Sequence, residues 1–232
     1  MVKLSVIGTP IGNLEDITLR ALKTLSEADL ILCEDTRETK KLLARHNISR
    51  PTLSYHAQSK ISRTDEIINQ LKEGKNLALV SDAGTPGISD PGAELVSRIR
   101  TELAEEIASG SIAIEAIPGP SALTSALSIA GIPCADFTFL GFLPHKKGRE
   151  TLFKEIAASE RTMVFYESPH RIMKTLESLQ EHLKEVNKKV TICRELTKVF
   201  EEVVQGSAEE VHKHFVSHPD TIKGEFAVIV SE

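Results

Sequence analysis

In the first half of this sequence, short apolar runs of strand length alternate with stretches of helical periodicity, and that alternation limits the fold more than any other feature. Lys3–Gly8, Asp29–Cys33, Thr52–Tyr55, Asn76–Ser81 and Ser111–Ile117 read as strands. Between them, Ile17–Ala28 reads as a helix with Leu22 and Leu25 on its buried face. Asp35-Thr36-Arg37-Glu38 has capping-box spacing and opens a helix to about His46. Further helices are predicted at Ile61–Lys72, after Asp90-Pro91 with Asp at the N-cap and Pro at the first helical position, and at Ser121–Ala130. Strands alternating with helices imply a largely parallel sheet covered on both faces.

Three loops dense in glycine and proline follow predicted strands: Gly8-Thr9-Pro10-Ile11-Gly12-Asn13, residues 81–92, and Pro118-Gly119-Pro120-Ser121-Ala122. Glycine permits close backbone approach and proline stiffens a loop, so three such loops at one end of a sheet form a rigid cleft. Taken singly, each is equally well read as a tight strand-to-helix turn. A dinucleotide is one candidate ligand, with Glu34-Asp35 placed to hold a ribose. However, Gly8 and Gly12 do not make G-x-G-x-x-G, Pro10 removes an amide that phosphate would want, and the P-loop pattern is absent. A ligand with a carboxylate, an ammonium and an adenosine but no phosphate suits the cleft better.

The character changes near Gly131-Ile132-Pro133, and the boundary is placed near residue 134, giving lobes 1–134 and 135–232. After it, Phe137–Phe142, Thr162–Tyr166, Lys189–Glu195, Val199–Gln205 and Glu225–Val230 read as strands. Helices fall at about Arg149–Ala158, Pro169–Leu183 and Ala208–Phe215. Two neighbouring strands joined near Leu196-Thr197 imply antiparallel pairing, hence a mixed sheet in the second lobe. The class is therefore α/β and two-lobed.

Cys33, Cys134 and Cys193 are far apart and form no C-x-x-C pair, which argues against a disulfide framework or a cysteine zinc site and fits a reducing cytoplasm. No His/Cys/carboxylate cluster has metal-ligand spacing. No apolar run reaches membrane-spanning length, and residues 1–8 are too short for a signal peptide. The net charge of −5 weighs against a surface that grips bare nucleic acid all over. Any RNA contact must be local or made on a larger particle.

Several motifs are distinctive together: Ile7-Gly-Thr-Pro-Ile-Gly-Asn13, Leu32-Cys-Glu-Asp-Thr-Arg37, Ser81–Gly92, Ile117-Pro-Gly-Pro-Ser-Ala122, Phe139-Leu-Gly-Phe-Leu-Pro144, Phe165-Tyr-Glu-Ser-Pro-His-Arg171 and Cys193-Arg-Glu-Leu-Thr-Lys198. In order and across nearly the whole chain, they resemble the family of ribosomal RNA small subunit methyltransferase I. The resemblance implies the tetrapyrrole methylase fold, a parallel-sheet first lobe and a mixed-sheet second lobe, with S-adenosylmethionine folded between them. It implies 2′-O-methylation of a cytidine in 16S ribosomal RNA, a small ribosomal subunit as partner, and a homodimer in the cytoplasm. Asp82, Ala83, Gly84, Ile88 and Ser89 match the loop that holds the methionine portion, and Ser121 and Ala122 the third-loop contacts. Tyr166, Glu167, Leu196, Phe226 and Ala227 match positions that wall the adenosine. Residues 100–110 form a longer link than the family usually has, and many members continue beyond the Gly-Glu-Phe strand into a further helical segment.

Methyl transfer to a hydroxyl needs in-line alignment and a base. Glu34, Asp35 and His56, each after a first-lobe strand, are candidate bases or orienting groups, and Arg37 a candidate phosphate clamp. Asp35 and His56 also have plainer readings, as a helix cap and a loop histidine. Candidate RNA contacts are Asn13, Lys146, Lys147, Arg149 and Arg171, the basic run lying beside Phe142. The alternatives are a tetrapyrrole methyltransferase of the same fold, an NAD(P)-dependent oxidoreductase, and a non-catalytic RNA-binding or assembly protein.

Overall fold

A computed structural model describes residues 1–56 and 61–232, which divide into two compact units, Met1–Ser121 and Ala122–Glu232. In the first unit, β1 (Val2–Ile7), β2 (Leu30–Cys33), β3 (Thr52–Ser54), β4 (Leu77–Leu79) and β5 (Ile112–Ile117) form a sheet in the order β3-β2-β4-β1-β5. Every pairing in it is parallel. β2 and β4 are unbroken apolar runs because both faces are covered there, whereas β1 and β5 carry a polar row in which Lys3 and Ser5 bond to Glu115. On one face, α3 (Ile61–Lys72) and α4 (Gly92–Glu102) bury Ile67, Leu71, Leu95 and Ile99 against Leu4, Leu32 and Leu77. On the other, α1 (Leu19–Glu27) and α2 (Thr36–Arg45) bury Ala21, Leu25, Leu42 and Leu43 against Ile7, Ile31 and Ala78. Each leucine or isoleucine among them contributes roughly 1.5–3 kcal/mol when fully buried. Leu22 lies beside Leu25, only partly buried.

The parallel order sends the ends of β1, β4 and β5, neighbours in the sheet, out on the same side. The three glycine- and proline-rich loops therefore meet there. The expected Asp90 cap is displaced: α4 begins at Gly92 with Pro91 at its N-cap, which makes no side-chain cap bond. Asp90 instead bends back inside the loop, its carboxylate accepting the amides of Gly87 at 2.8 Å and Gly92 at 2.7 Å. Asp35 does cap α2, accepting the Arg37 amide. A short helix, α5 (Ala104–Ala108), follows α4 and fills the long link to β5.

The second unit opens with α6 (Ala122–Ile129) and holds a mixed sheet in the order β6-β7-β10-β8-β9. Its strands are β6 (Phe137–Phe142), β7 (Thr162–Glu167), β8 (Lys189–Arg194), β9 (Glu202–Gly206) and β10 (Phe226–Ser231). β6 runs parallel to β7 and the remaining pairs are antiparallel. α7 (Arg149–Ala158), α8 (Ile172–His182) and α9 (Ala208–Ser217) cover one face, packing Phe153, Leu176, Leu179 and Phe215 on Phe165, Phe226 and Val228. α9 opens with a complete capping box between Ser207 and Glu210. α6 groups with this unit by its contacts, including Cys193 Sγ to the Ala126 carbonyl at 3.9 Å, although the sequence changes character only after it.

Two boundaries in this unit differ from expectation. β9 starts at Glu202 rather than Val199, because residues 195–201 form a turn in which Glu195 and Thr197 are left-handed (φ 49° and 68°). The Thr197 amide is held by Glu201 Oε2, and Val199 and Phe200 project from that turn, 93% and 69% exposed. α8 starts at Ile172 rather than Pro169, because a turn precedes it in which the Ser168 carbonyl accepts the amides of Arg171 and Ile172.

Candidate functional site

The first unit assembles its site from backbone contacts between the three loops. Thr9 and Gly84 exchange amide bonds, 2.8 Å and 3.1 Å, forming an isolated antiparallel bridge between the first and second loops. The Thr9 hydroxyl reaches the carbonyls of Ser81 and Gly84, each at 3.3 Å. Gly8 donates to the Ile117 carbonyl at 3.0 Å, and the Thr85 hydroxyl to the Pro120 carbonyl at 3.3 Å, which joins the third loop to the other two. Gly84 takes a positive φ of 78°, and the non-glycine Ser89 does the same at 67°. Left-handed backbone at a serine costs about 1–2 kcal/mol and persists where surrounding contacts impose it.

Four carboxylates gather at this end of the sheet. The Asp35 amide donates to Asp82 Oδ1 at 2.9 Å, which ties the loop after β4 to the start of α2. Asp35 in turn holds Arg37, with Nη2 to Oδ2 at 2.6 Å and Nε to both oxygens at 3.1 Å. The guanidinium hydrogen bonds and the Arg37 amide hold the Asp35 carboxyl down at about 2. Glu34 moves the other way: partial burial, then the negative charges of Asp82 and Asp90, push its carboxyl above the usual range, with His56 opposing. Adjacent residues thus carry opposite perturbations, the pattern of one fixed charge beside one proton acceptor.

This donor set disfavours phosphate and favours a ligand with a positive centre. Carboxylates clustered this closely would repel a diphosphate and attract a sulfonium or an ammonium. Asp82 and Ala83 are exposed, and Ile88, 44% exposed, supplies an apolar wall. Ser121 and Ala122 lie at the start of α6. Asn13 caps the short turn Leu14–Asp16, accepting the Glu15 amide at 3.1 Å. Among the described residues, no group of three or more His, Cys, Asp or Glu is placed to hold a metal ion.

In the second unit, strand register separates residues that the sequence set side by side. Ala227 is directly opposite Tyr166, and Phe226 opposite Glu167. Opposite residues share a face and neighbours alternate, so the Tyr166–Ala227 row and the Glu167–Phe226 row lie on opposite faces. Phe226 faces the helices, its ring 5.9 Å from that of Phe215. Glu167 shares that face and its side chain is 0% exposed. Its oxygens accept the Ser168 amide (2.8 Å), the Thr175 hydroxyl (2.7 Å) and Arg171 Nη2 (2.7 Å), with Arg149 Nη2 at 3.5 Å. Glu167 and Phe226 are therefore internal supports, and Tyr166 and Ala227 belong to the face away from those helices. Leu196 lies between the two left-handed residues of the turn after β8.

The basic run divides too. Lys146 and Lys147 are exposed, whereas Arg149 and Arg171 are spent on Glu167, their side chains 11% and 18% exposed. Sequence reasoning missed Asp90 as a member of the carboxylate cluster, since Asp-Pro before a helical pattern looks like a cap. The presence of two aspartates in one glycine-rich loop was the available signal. It also missed the strain at Ser89, Glu195 and Thr197, for which the residue types give no cue.

Among the described residues, no helix is long and apolar enough to cross a membrane. Residues 3–212 match the family model of the tetrapyrrole (corrin/porphyrin) methylases. The chain is 46% identical over its full length to the ribosomal RNA small subunit methyltransferase I of Thermotoga maritima, covering 99% of that protein. To the protein of the same name in Bacillus subtilis it is 42% identical over 98% of its length, covering 74% of that relative. Its fold is similar to that of a diphthine synthase (TM-score 0.73, 15% identity, 100% of this chain and 90% of that one). It is similar as well to a Thermus thermophilus uroporphyrin-III C-methyltransferase complexed with S-adenosylhomocysteine (TM-score 0.64, 16% identity, 100% and 98%). Sequence and fold thus agree: the chain belongs to the ribosomal RNA small subunit methyltransferase I family, within the tetrapyrrole methylases.

Proposed function

We propose that this chain transfers a methyl group from S-adenosylmethionine to the 2′-hydroxyl of a cytidine in the 16S ribosomal RNA of the small subunit. The observation that carries the reading is the carboxylate cluster of Glu34, Asp35, Asp82 and Asp90 at the strand ends, with Glu34 raised and Asp35 lowered. S-adenosylmethionine supplies an electrophilic methyl group on a positively charged sulfur. Asp82 attracts the ammonium of its methionine part, Ala83, Gly84 and Ser89 shape the loop around it, and Ile88 covers its apolar stem. Ser121 and Ala122 border the same loop end. In the second unit, Tyr166, Leu196 and Ala227 are the side chains for the adenosine, and Glu167 and Phe226 support them from behind.

Glu34 accepts the hydroxyl proton as the new bond forms, because its raised affinity for a proton suits a base working near neutrality. Asp35 keeps its charge and orients Arg37, whose guanidinium meets an RNA phosphate. His56 lowers the local negative potential, and Asn13 borders the entrance as an RNA contact. Alignment supplies roughly 7–11 kcal/mol of barrier reduction and a positioned base about 10²–10⁴-fold in rate, so placement dominates. A cytoplasmic homodimer completes the proposal, supported by three free cysteines and by the exposed Val199 and Phe200 next to the edge strand β9, an apolar surface for a second copy.

The test is transfer of labelled methyl from S-adenosylmethionine to small subunits from cells lacking the enzyme, followed by nucleoside analysis. Labelled 2′-O-methylcytidine supports the assignment. Cofactor binding with unlabelled subunits overturns it and turns attention to tetrapyrroles.

A further inference from the structure

Resting on the RNA reading above, we infer that Phe142 is a stacking platform for an unpaired base of the substrate, presented by a loop that Glu167 locks from beneath. Phe142 ends β6 and is 55% exposed, unusual for a ring on a sheet. It is held rather than loose: its ring packs edge-on against Tyr166 at 5.5 Å, and Phe139 packs on the same Tyr166 at 4.9 Å. A register shift between Phe139 and Phe142 moves Phe142 opposite Tyr166, and Gly141 supplies the positive φ of 63° at that irregularity. The bulge re-aims a large apolar side chain outward.

The next residues carry charge. Lys146 and Lys147 are exposed on the loop that leads from Phe142 to α7. Arg171 Nη1 donates to the Leu143 carbonyl at 2.8 Å, and Arg149 Nη1 to the Pro144 carbonyl at 3.2 Å. Both guanidiniums are anchored on the buried Glu167, and Arg149 also stacks over Phe153 at 5.0 Å. The loop that bears the lysines is thus held where it leaves β6 by two arginines whose guanidiniums share one buried carboxylate inside the unit. A fixed aromatic face beside two free cations, in a chain of net charge −5, matches a polyanion that also offers π-faces: single-stranded RNA with a splayed base.

The test measures steady-state methyl transfer to isolated small subunits and, separately, S-adenosylmethionine binding. Phe142→Ala and Phe142→Leu should each raise KM for the subunit roughly tenfold, with kcat and cofactor affinity unchanged, and Phe142→Trp should restore KM. Leucine keeps the apolar packing on Tyr166, so equal loss in both variants separates stacking from folding. The Lys146→Ala/Lys147→Ala pair should raise KM and flatten its salt dependence, whereas the Phe142 variants should leave the salt slope as it is. Wild-type labelling with KM unchanged in Phe142→Ala overturns the stacking role alone. A loss of cofactor affinity in place of subunit affinity overturns it as well, assigning Phe142 to adenosine. Failure of wild type to label subunits overturns the substrate reading and this role with it.

Discussion

Gly8 and Gly119 meet backbone to backbone: a Cβ on Gly119 would lie 2.5 Å from the Gly8 carbonyl oxygen, and one on Gly8 would lie 2.8 Å from the Gly119 Cα. No side chain fits between the first and third loops. Because both obstacles are backbone, neither can swing aside. Gly119→Ala should destabilise the fold by about 1–3 kcal/mol, the usual cost of an overpacked site, and should weaken S-adenosylmethionine binding further by spreading the loops. Denaturant unfolding together with cofactor titration checks this. Unchanged stability would mean that the loops separate freely.

The Glu34 carboxyl is raised, first by burial and then by Asp82 and Asp90. If it is the base, the acid limb of the kcat profile should lie above the usual carboxylate range. Asp82→Asn removes a neighbouring negative charge and should move that limb to lower pH, and Glu34→Gln should abolish it. The stability sign follows from the same shift: the folded chain holds this proton more tightly than the unfolded chain. The Glu34 contribution is therefore complete below the unfolded pKa and is lost as pH rises through the folded one. Glu34→Gln should remove that loss, seen as a flatter dependence of Tm on pH.

Asp35 separates two roles. Asp35→Asn keeps an oxygen for the Arg37 amide and loses the charge that orients the Arg37 side chain. It should lower turnover at least tenfold while cofactor binding and melting temperature hold. Turnover close to wild type would leave Asp35 as a helix cap only.

Glu167 sits at 0% exposure between two arginines. Glu167→Ala leaves both guanidiniums without their anion, and removing one partner of a buried pair costs about 3–5 kcal/mol. Chemical denaturation monitored through the second unit checks this. A loss under about 1 kcal/mol would mean that water already shares the network.

Much of this was legible from residues alone. Unbroken apolar runs such as Leu30–Cys33 announced a sheet buried on both faces, and the loops 8–13, 81–92 and 118–122 announced where its strand ends would matter. What stayed hidden depends on partners distant in sequence. Asp90 looks like a cap until Gly87 and Gly92 are seen turned towards it. Tyr166-Glu167 looks like a matched pair until the register with Phe226 and Ala227 puts the two on opposite faces. Arg149 and Arg171 look like free cations until Glu167 is found between them. Periodicity reports which residues are apolar, and long-range pairing decides what each polar one meets.

The place of β1 between β4 and β5 has a consequence for biosynthesis. Val2 is synthesised well before its partner Ile112, and Leu4 before its partner Leu77. At about 5–20 residues per second, the opening strand waits several seconds for its first neighbour and longer for its second. Until then both of its edges are open, the form of chain most prone to stray pairing. The first unit therefore closes late, when its last strand arrives, and the loops that meet at Gly8 and Gly119 acquire their shape in that same final step.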